Sequence, residues 1–168
     1  MIAVLISIRP KWCEKIISGE KTIEVRKTRP KMDKPFRGYI YRTKGTVPHI
    51  INGKWVQMEV GGTIIAEFTC DRIYELEMRS PGGSYYVKGE DQPTTNDVAR
   101  HSCLTLWDMH EYLQAGKGYG WHISNLRIYD HPRDLWEFAG LQRETEFGLA
   151  PKPITRPPQS WRYVEEQI

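Results

Sequence analysis

A chain of 168 residues, 39% hydrophobic and 27% charged, has the size of one domain and enough apolar surface to fold without a metal or disulfide staple. The apolar run Ile2–Ile6 is too short for a membrane span or a signal peptide. The three scattered cysteines, Cys13, Cys70 and Cys103, fit reduced thiols in a cytoplasmic protein and give no metal-ligand spacing. The net charge of +3 conceals an asymmetry: residues 1–44 hold 12 Lys/Arg against 4 Asp/Glu, the remainder 12 against 17. Either a positive field concentrated in the first quarter meets an anionic partner, or the charges scatter over a solvated surface.

In chain order, Ile2–Ile8 reads as a buried strand. Pro10 suits a first helical turn and Gly19 a C-terminal cap, and Trp12, Cys13, Ile16 and Ile17 form an apolar stripe between them. Thr22–Lys27 alternates, with Ile23 and Val25 on one face and Thr22, Glu24 and Arg26 on the other. Residues 29–35 form a basic loop, and Gly38–Thr43 a strand. Asn52-Gly53 between apolar runs predicts a type I′ hairpin. "TIIAEFTCDRIYEL" after Gly61-Gly62 reads as one continuous strand. Residues 80–103 read as a long functional or mobile loop.

A short helix follows over Thr105–Ala115. Thr105 and Asp108 form its capping box, and Leu106, Met109 and Leu113 its apolar face. "YGWHISNLRIY" reads as another strand and "HPRDLWEFAG" as a short helix. A proline-rich extension, about 148–168, ends in the apolar cluster Trp161–Val164. Several strands with few helices predict an α+β fold: a small mixed β-barrel with short covering helices, in a single domain over 1–168. No glycine-rich phosphate fingerprint follows a strand, which argues against a nucleotide-binding α/β fold.

Lys21 falls at a helix-to-strand turn. It is a solvated turn lysine, a partner for phosphate or Glu24, or, if desolvated beside Arg26, a base or nucleophile. Glu24 and Arg26 share a strand face. They form a surface ion pair worth about 0–1 kcal/mol, or the carboxylate accepts from a base edge while the guanidinium grips a phosphate. Lys27, Arg29, Lys31, Lys34 and Arg37 read as a phosphate-tracking rim, and Arg9 as a further cation before the first helix. Tyr119, Trp121 and Trp161 are stacking candidates or core residues, with core favoured for Trp121 because Ile123 shares its strand face. Glu67 is a second acid or part of a solvent-facing strand surface, the latter favoured.

"SIRPKWCEKIISGEKTIEVRK" resembles the ASCH domain family, a branch of the PUA-like β-barrels, whose G-x-K-x-x-E-x-R pattern falls here on Gly19, Lys21, Glu24 and Arg26. "YIYRTKG", "IIAEFTCD", "YGWHISNLRIYDHPRDLWEF" and "PPQSWRYVE" resemble later blocks of a bacterial and phage branch. The resemblance spans nearly the whole chain. It implies a barrel with a cleft lined by the Gly-x-Lys segment and the next strand, and RNA, DNA or modified nucleosides as ligands.

Some small family members hydrolyse N4-acetylcytidine. This chain resembles them at Lys21, carries Glu24 where they have threonine, and places His101 or Ser102 where they have a carboxylate. The expected function is binding of RNA, single-stranded nucleic acid or a (modified) nucleotide through Arg9, Lys21, Glu24, Arg26, Lys27, Arg29, Lys31, Tyr119 and Trp121. No cofactor, metal or membrane is expected. Hydrolysis of a modified nucleoside or of RNA, with Lys21 and Glu24 as the catalytic pair, is the alternative. A module docking an acidic protein is the third reading.

Overall fold

The computed structural model describes residues 1–141 and 151–167. The uninterrupted apolar run after Met1 forms β1 (Ile2–Ile8), buried from Ala3 onward. Pro10 opens α1 (Pro10–Ile17), which buries Cys13 and Ile16. β2 (Ile23–Arg26) and β3 (Phe36–Arg42) follow. β4 (Gly45–Ile51) and β5 (Lys54–Val60) are joined by Asn52 and Gly53. Both turn residues have positive φ, 51° and 74°, as the I′ turn requires.

The strand expected over 63–76 is two, β6 (Thr63–Cys70) and β7 (Ile73–Met78), because the polar pair Asp71-Arg72 ends the first. The stretch expected as a loop contains β8 (Tyr85–Val87) and α2 (Thr95–His101). The signal for α2 was present in the sequence. Thr94 and Asp97 form a reciprocal capping box, the same device that Thr105 and Asp108 supply to α3 (Leu106–Leu113). Of the expected α3 face, Met109 and Leu113 are buried, and Leu106 is exposed.

The segment expected as a strand over 119–129 divides into β9 (Gly118–His122) and β10 (Ser124–Arg133), with Asn125 at a φ of 47°. Instead of the expected helix after it, β10 runs through Pro132. Only a single 3-10 turn forms, Leu135–Glu137, and it ends where Phe138 becomes extended and fully buried. β11 (Ala139–Gly140), β12 (Lys152–Pro153) and β13 (Trp161–Glu165) complete a mixed α+β chain. The beginning of the proline-rich extension, 148–150, and its residue 168 lie outside the described residues.

Backbone contacts divide the chain into two compact units. The first comprises Met1–Glu14, Phe36–Phe68 and Leu126 onward. Its principal sheet has the order β10-β6-β3-β1-β13-β11-β12. β1 lies parallel to β3, from Val4 opposite Gly38 to Ile8 opposite Arg42, and antiparallel to β13, from Ile2 opposite Glu165 to Ile6 opposite Trp161. Ala3, Leu5, Tyr39, Tyr41, Ile64, Phe138, Ile154 and Val164 form its core, with Phe138 edge-on to Tyr39 at 4.9 Å. Among the described residues the pairings give an open order with two ends, and the closed ring of the expected barrel is not seen in them. The β4–β5 hairpin stands as a separate two-stranded sheet. Gly61 behind it has a φ of 94°, and a Cβ there would lie 2.0 Å from the Thr43 carbonyl oxygen. Only glycine tolerates both conditions.

The second unit comprises Lys15–Pro35 and Thr69–Asn125. Its sheet has the order β2-β9-β7-β8. On one face Ile23, Val25 and Leu76 pack with Val98 and Ala99 of α2 and Met109 and Leu113 of α3. The register places Glu24 opposite Trp121, Arg26 opposite Tyr119, and Tyr119 opposite Glu75. Strand alternation therefore collects these five side chains on the other face. The three cysteines are free thiols. Among the described residues no helix is long and apolar enough to cross a membrane.

Candidate nucleic-acid interface

The helix-to-strand turn expected to carry the charged motif is held by backbone bonds. The Lys21 amide donates to Lys15, the Thr22 amide to His101, and the Ile123 amide to Thr22. These bonds carry Lys21 inward, where only 3% of the residue is exposed. Its Nζ donates to the Ile23 carbonyl at 2.9 Å and the Ser102 carbonyl at 2.8 Å, and lies 3.0 Å from Glu24 Oε2. Glu24 Oε1 in turn lies 2.9 Å from Arg26 Nη2.

With Glu24 7% and Arg26 9% exposed, this is a buried cation–anion–cation chain. The solvated-turn and surface-pair readings are both overturned. Burial of such groups demands pairing, and each charge here has it. Three acceptors around Nζ match the three donors of an ammonium group, an arrangement suited to fixing Glu24 and Arg26 in place. Ser102 is itself fully buried. Its amide donates to Val98 and its hydroxyl to Ala99. Ser102, one of the two positions expected where the N4-acetylcytidine hydrolases have a carboxylate, thus does touch Lys21, but through its main-chain carbonyl.

Beyond Arg26 the chain emerges. A cavity of about 620 Å³ is lined by Lys27, Thr28, Arg29, Lys31, Met32, Asp33 and Tyr119. Arg29 lies over the Tyr119 ring at 5.8 Å and pairs with Glu75 at 3.3 Å. Lys27 lies over Tyr112 at 5.3 Å and donates to Gln114 Oε1 at 3.3 Å. Burial raises the pKa of the Tyr112 hydroxyl, Arg26 opposes that shift, and Glu24 reinforces it. Tyr112 was not legible as a site residue. It sits beside the core residue Leu113 on α3, and its tie to residue 27 is long-range in sequence.

The structure brings together Lys27, Arg29, Lys31 and Tyr119. It places Lys21, Glu24 and Arg26 in the buried layer preceding them rather than in the cavity lining. Trp121 is 0% exposed; it presents no open ring for stacking, and the core reading holds for it. Arg9 is exposed and belongs to the first unit. So does Arg37, which pairs with Glu67 at 3.0 Å and Glu166 at 3.1 Å. Glu67 is not simply solvated: it also accepts from Tyr129 at 2.8 Å. Trp161 packs edge-on against Tyr163 at 5.3 Å.

No protein-family model matches the chain, and no curated protein matches it in sequence. Solved structures do match. The elements and their order define the class as a mixed α+β protein, and its fold is similar to that of ASCH proteins. An ASCH protein from Zymomonas mobilis matches over 98% of this chain and 88% of its own, with a TM-score of 0.54 at 16% identity. A serine-to-alanine variant of that protein matches with a TM-score of 0.59 at 17% identity, covering 98% and 89%. A tyrosine-to-phenylalanine variant gives 0.57 at 17%, covering 98% and 91%. The ASCH family that the sequence resembles is therefore also the family of the solved structures this chain's fold is similar to.

Proposed function

We propose that the protein binds single-stranded nucleic acid, RNA in the first instance, or a nucleotide, at the cavity of Lys27, Arg29, Lys31 and Tyr119. One observation carries the reading: three cations converge on a cavity that also holds an aromatic ring, the pairing by which single strands are gripped through phosphate and base together. The buried Lys21–Glu24–Arg26 chain acts as the foundation from which that loop leaves the sheet. The PUA-like relationship implied by the sequence, and the likeness to ASCH structures, are consistent with a nucleic-acid ligand. Reduced thiols fit a cytoplasmic setting.

The test is fluorescence anisotropy with a labelled single-stranded RNA across a salt series. Affinity is expected to fall steeply with salt. Arg29→Ala/Lys31→Ala is expected to weaken binding to all sequences alike and to flatten the salt slope by about 0.7 for each phosphate that is no longer neutralised. An unchanged slope removes the loop from the interface.

A second reading is a hydrolase of a modified nucleoside, as in the small ASCH members that this chain resembles at Lys21; Ser102, one of the two positions expected where they have a carboxylate, touches that lysine. Two differences weigh against it. Glu24 occupies the amine, and neither His101 nor Ser102 supplies a carboxylate to relay protons. We expect no release of acetate and cytidine from N4-acetylcytidine by the wild-type protein, and none by Glu24→Thr. Robust turnover that disappears in Lys21→Ala would put the enzymatic reading first.

A further inference from the structure

The second unit holds a larger cavity, about 960 Å³, around β8 and the start of α3, which shares no lining residue with the basic cavity. Its volume is in the range of roughly 300–1,000 Å³ usual for small-molecule sites. Two features of its lining bear on what it could hold.

The first is an aromatic shelf. α3 turns Met109 and Leu113 into the core but leaves Trp107 70% exposed. The Trp107 ring lies nearly parallel to that of His110, at 15° with centroids 6.5 Å apart. His110 is braced edge-on by Tyr85 at 6.0 Å, and the Tyr85 hydroxyl donates to the Gly116 carbonyl at 2.8 Å. The shelf is thus held in place while its outer ring faces solvent.

The second is an uncompensated cation. On this sheet Lys88 and Lys117 are taken up by Glu75 and Glu77. Glu77 also accepts from the Tyr86 hydroxyl at 2.9 Å. Arg79 lies over the Tyr86 ring at 5.6 Å, and among the described residues it has no carboxylate partner within ion-pair distance.

A shelf of aromatic rings alone would accept any flat apolar group, cations included. An unpaired guanidinium in the same cavity repels cations and selects an anion. A flat ring bearing a phosphate satisfies both. We propose that this cavity is a second, separate nucleotide site, with the base on Trp107 and His110 and the phosphate on Arg79. It goes beyond the basic-loop reading, and its residues are different ones.

The experiment uses the full chain carrying Arg29→Ala/Lys31→Ala, so that the basic cavity is weakened and either reading can fail alone. Adenosine 5′-monophosphate and adenosine are titrated by calorimetry. The monophosphate is expected to bind more tightly than adenosine. Trp107→Ala is expected to weaken both by about fivefold or more, the usual worth of a stacked base. Arg79→Ala is expected to bring the monophosphate down to the level of adenosine and leave adenosine unchanged. Because both side chains are exposed, an unaltered thermal midpoint will show that the fold is intact. An oligoadenylate that binds more tightly than the monophosphate assigns the site to a strand, and equal binding assigns it to the free nucleotide. No heat with the monophosphate, affinities indifferent to Trp107→Ala, or phosphotyrosine binding equally well would each overturn the proposal.

Discussion

Glu24→Ala is expected to lower the unfolding free energy by about 3–5 kcal/mol, the usual penalty for removing one partner from a buried ion pair. The alanine would leave the Lys21 ammonium and the Arg26 guanidinium close together in a layer where they are 3% and 9% exposed. The Ile23 and Ser102 carbonyls would still accept from Lys21, but the carboxylate that offsets the repulsion and desolvation of the two cations would be gone. Glu24→Gln keeps the volume and one acceptor, so it should lose less. The combined change Lys21→Met/Glu24→Leu/Arg26→Met should recover much of the loss, because apolar groups of similar size replace buried ion pairs at little cost. Urea denaturation measures this as a shift in midpoint at unchanged slope. A loss below about 1 kcal/mol for Glu24→Ala would mean that water reaches the chain of charges and that the surface value applies.

Trp121→Ala should also cost about 3–5 kcal/mol, as for a large aromatic removed from a packed interior. The side chain is 0% exposed and opposite Glu24 in the sheet. The informative comparison is with Tyr119, two residues earlier on the same face of β9. Tyr119 lines the basic cavity, with Arg29 over its ring. Tyr119→Ala should leave stability nearly intact and weaken RNA binding by the ~1–3 kcal/mol of one stacked base. Trp121→Ala, measured where it is still folded, should bind RNA almost as the wild type does. If instead it binds as poorly as Tyr119→Ala, the tryptophan belongs to the ligand site.

These two residues illustrate what could be read from sequence. The period of two in Thr22–Lys27 gave the face of each side chain correctly: Ile23 and Val25 pack with α2 and α3, and Glu24 and Arg26 lie on the opposite side. Period says nothing about depth. Whether a polar residue is wet depends on partners remote in the chain, as Ser102 is for Lys21, 81 residues away. Local chemistry was legible wherever a short motif has one structural solution, as at Asn52-Gly53 and Thr105-x-x-Asp108. The same capping logic at Thr94-x-x-Asp97 was obscured by surrounding prolines and glycines. The divisions at Asp71-Arg72 and Ile123 were missed for a different reason. A continuous β-prone stretch does not reveal where one strand leaves its sheet, since that is decided by partners remote in the chain. The ends of the seven-stranded order, and hence the open order of the pairings among the described residues, were beyond sequence for the same reason.

The antiparallel partner of β1 is β13, with Ile2 opposite Glu165. As the chain is synthesised, β1 emerges before either of its partners, and its edge from Ala3 to Ile6 is fully apolar. β3 can cover one side early, because only about 35 residues separate the paired positions. The other side stays bare until residues 161–165 exist. Such a delay lengthens the loop that must close before the sheet is complete, and it slows folding. Throughout it, an open hydrophobic strand edge is available to neighbouring chains. Recombinant protein cut short of Trp161 should therefore accumulate in inclusion bodies even though the whole second unit is encoded in it.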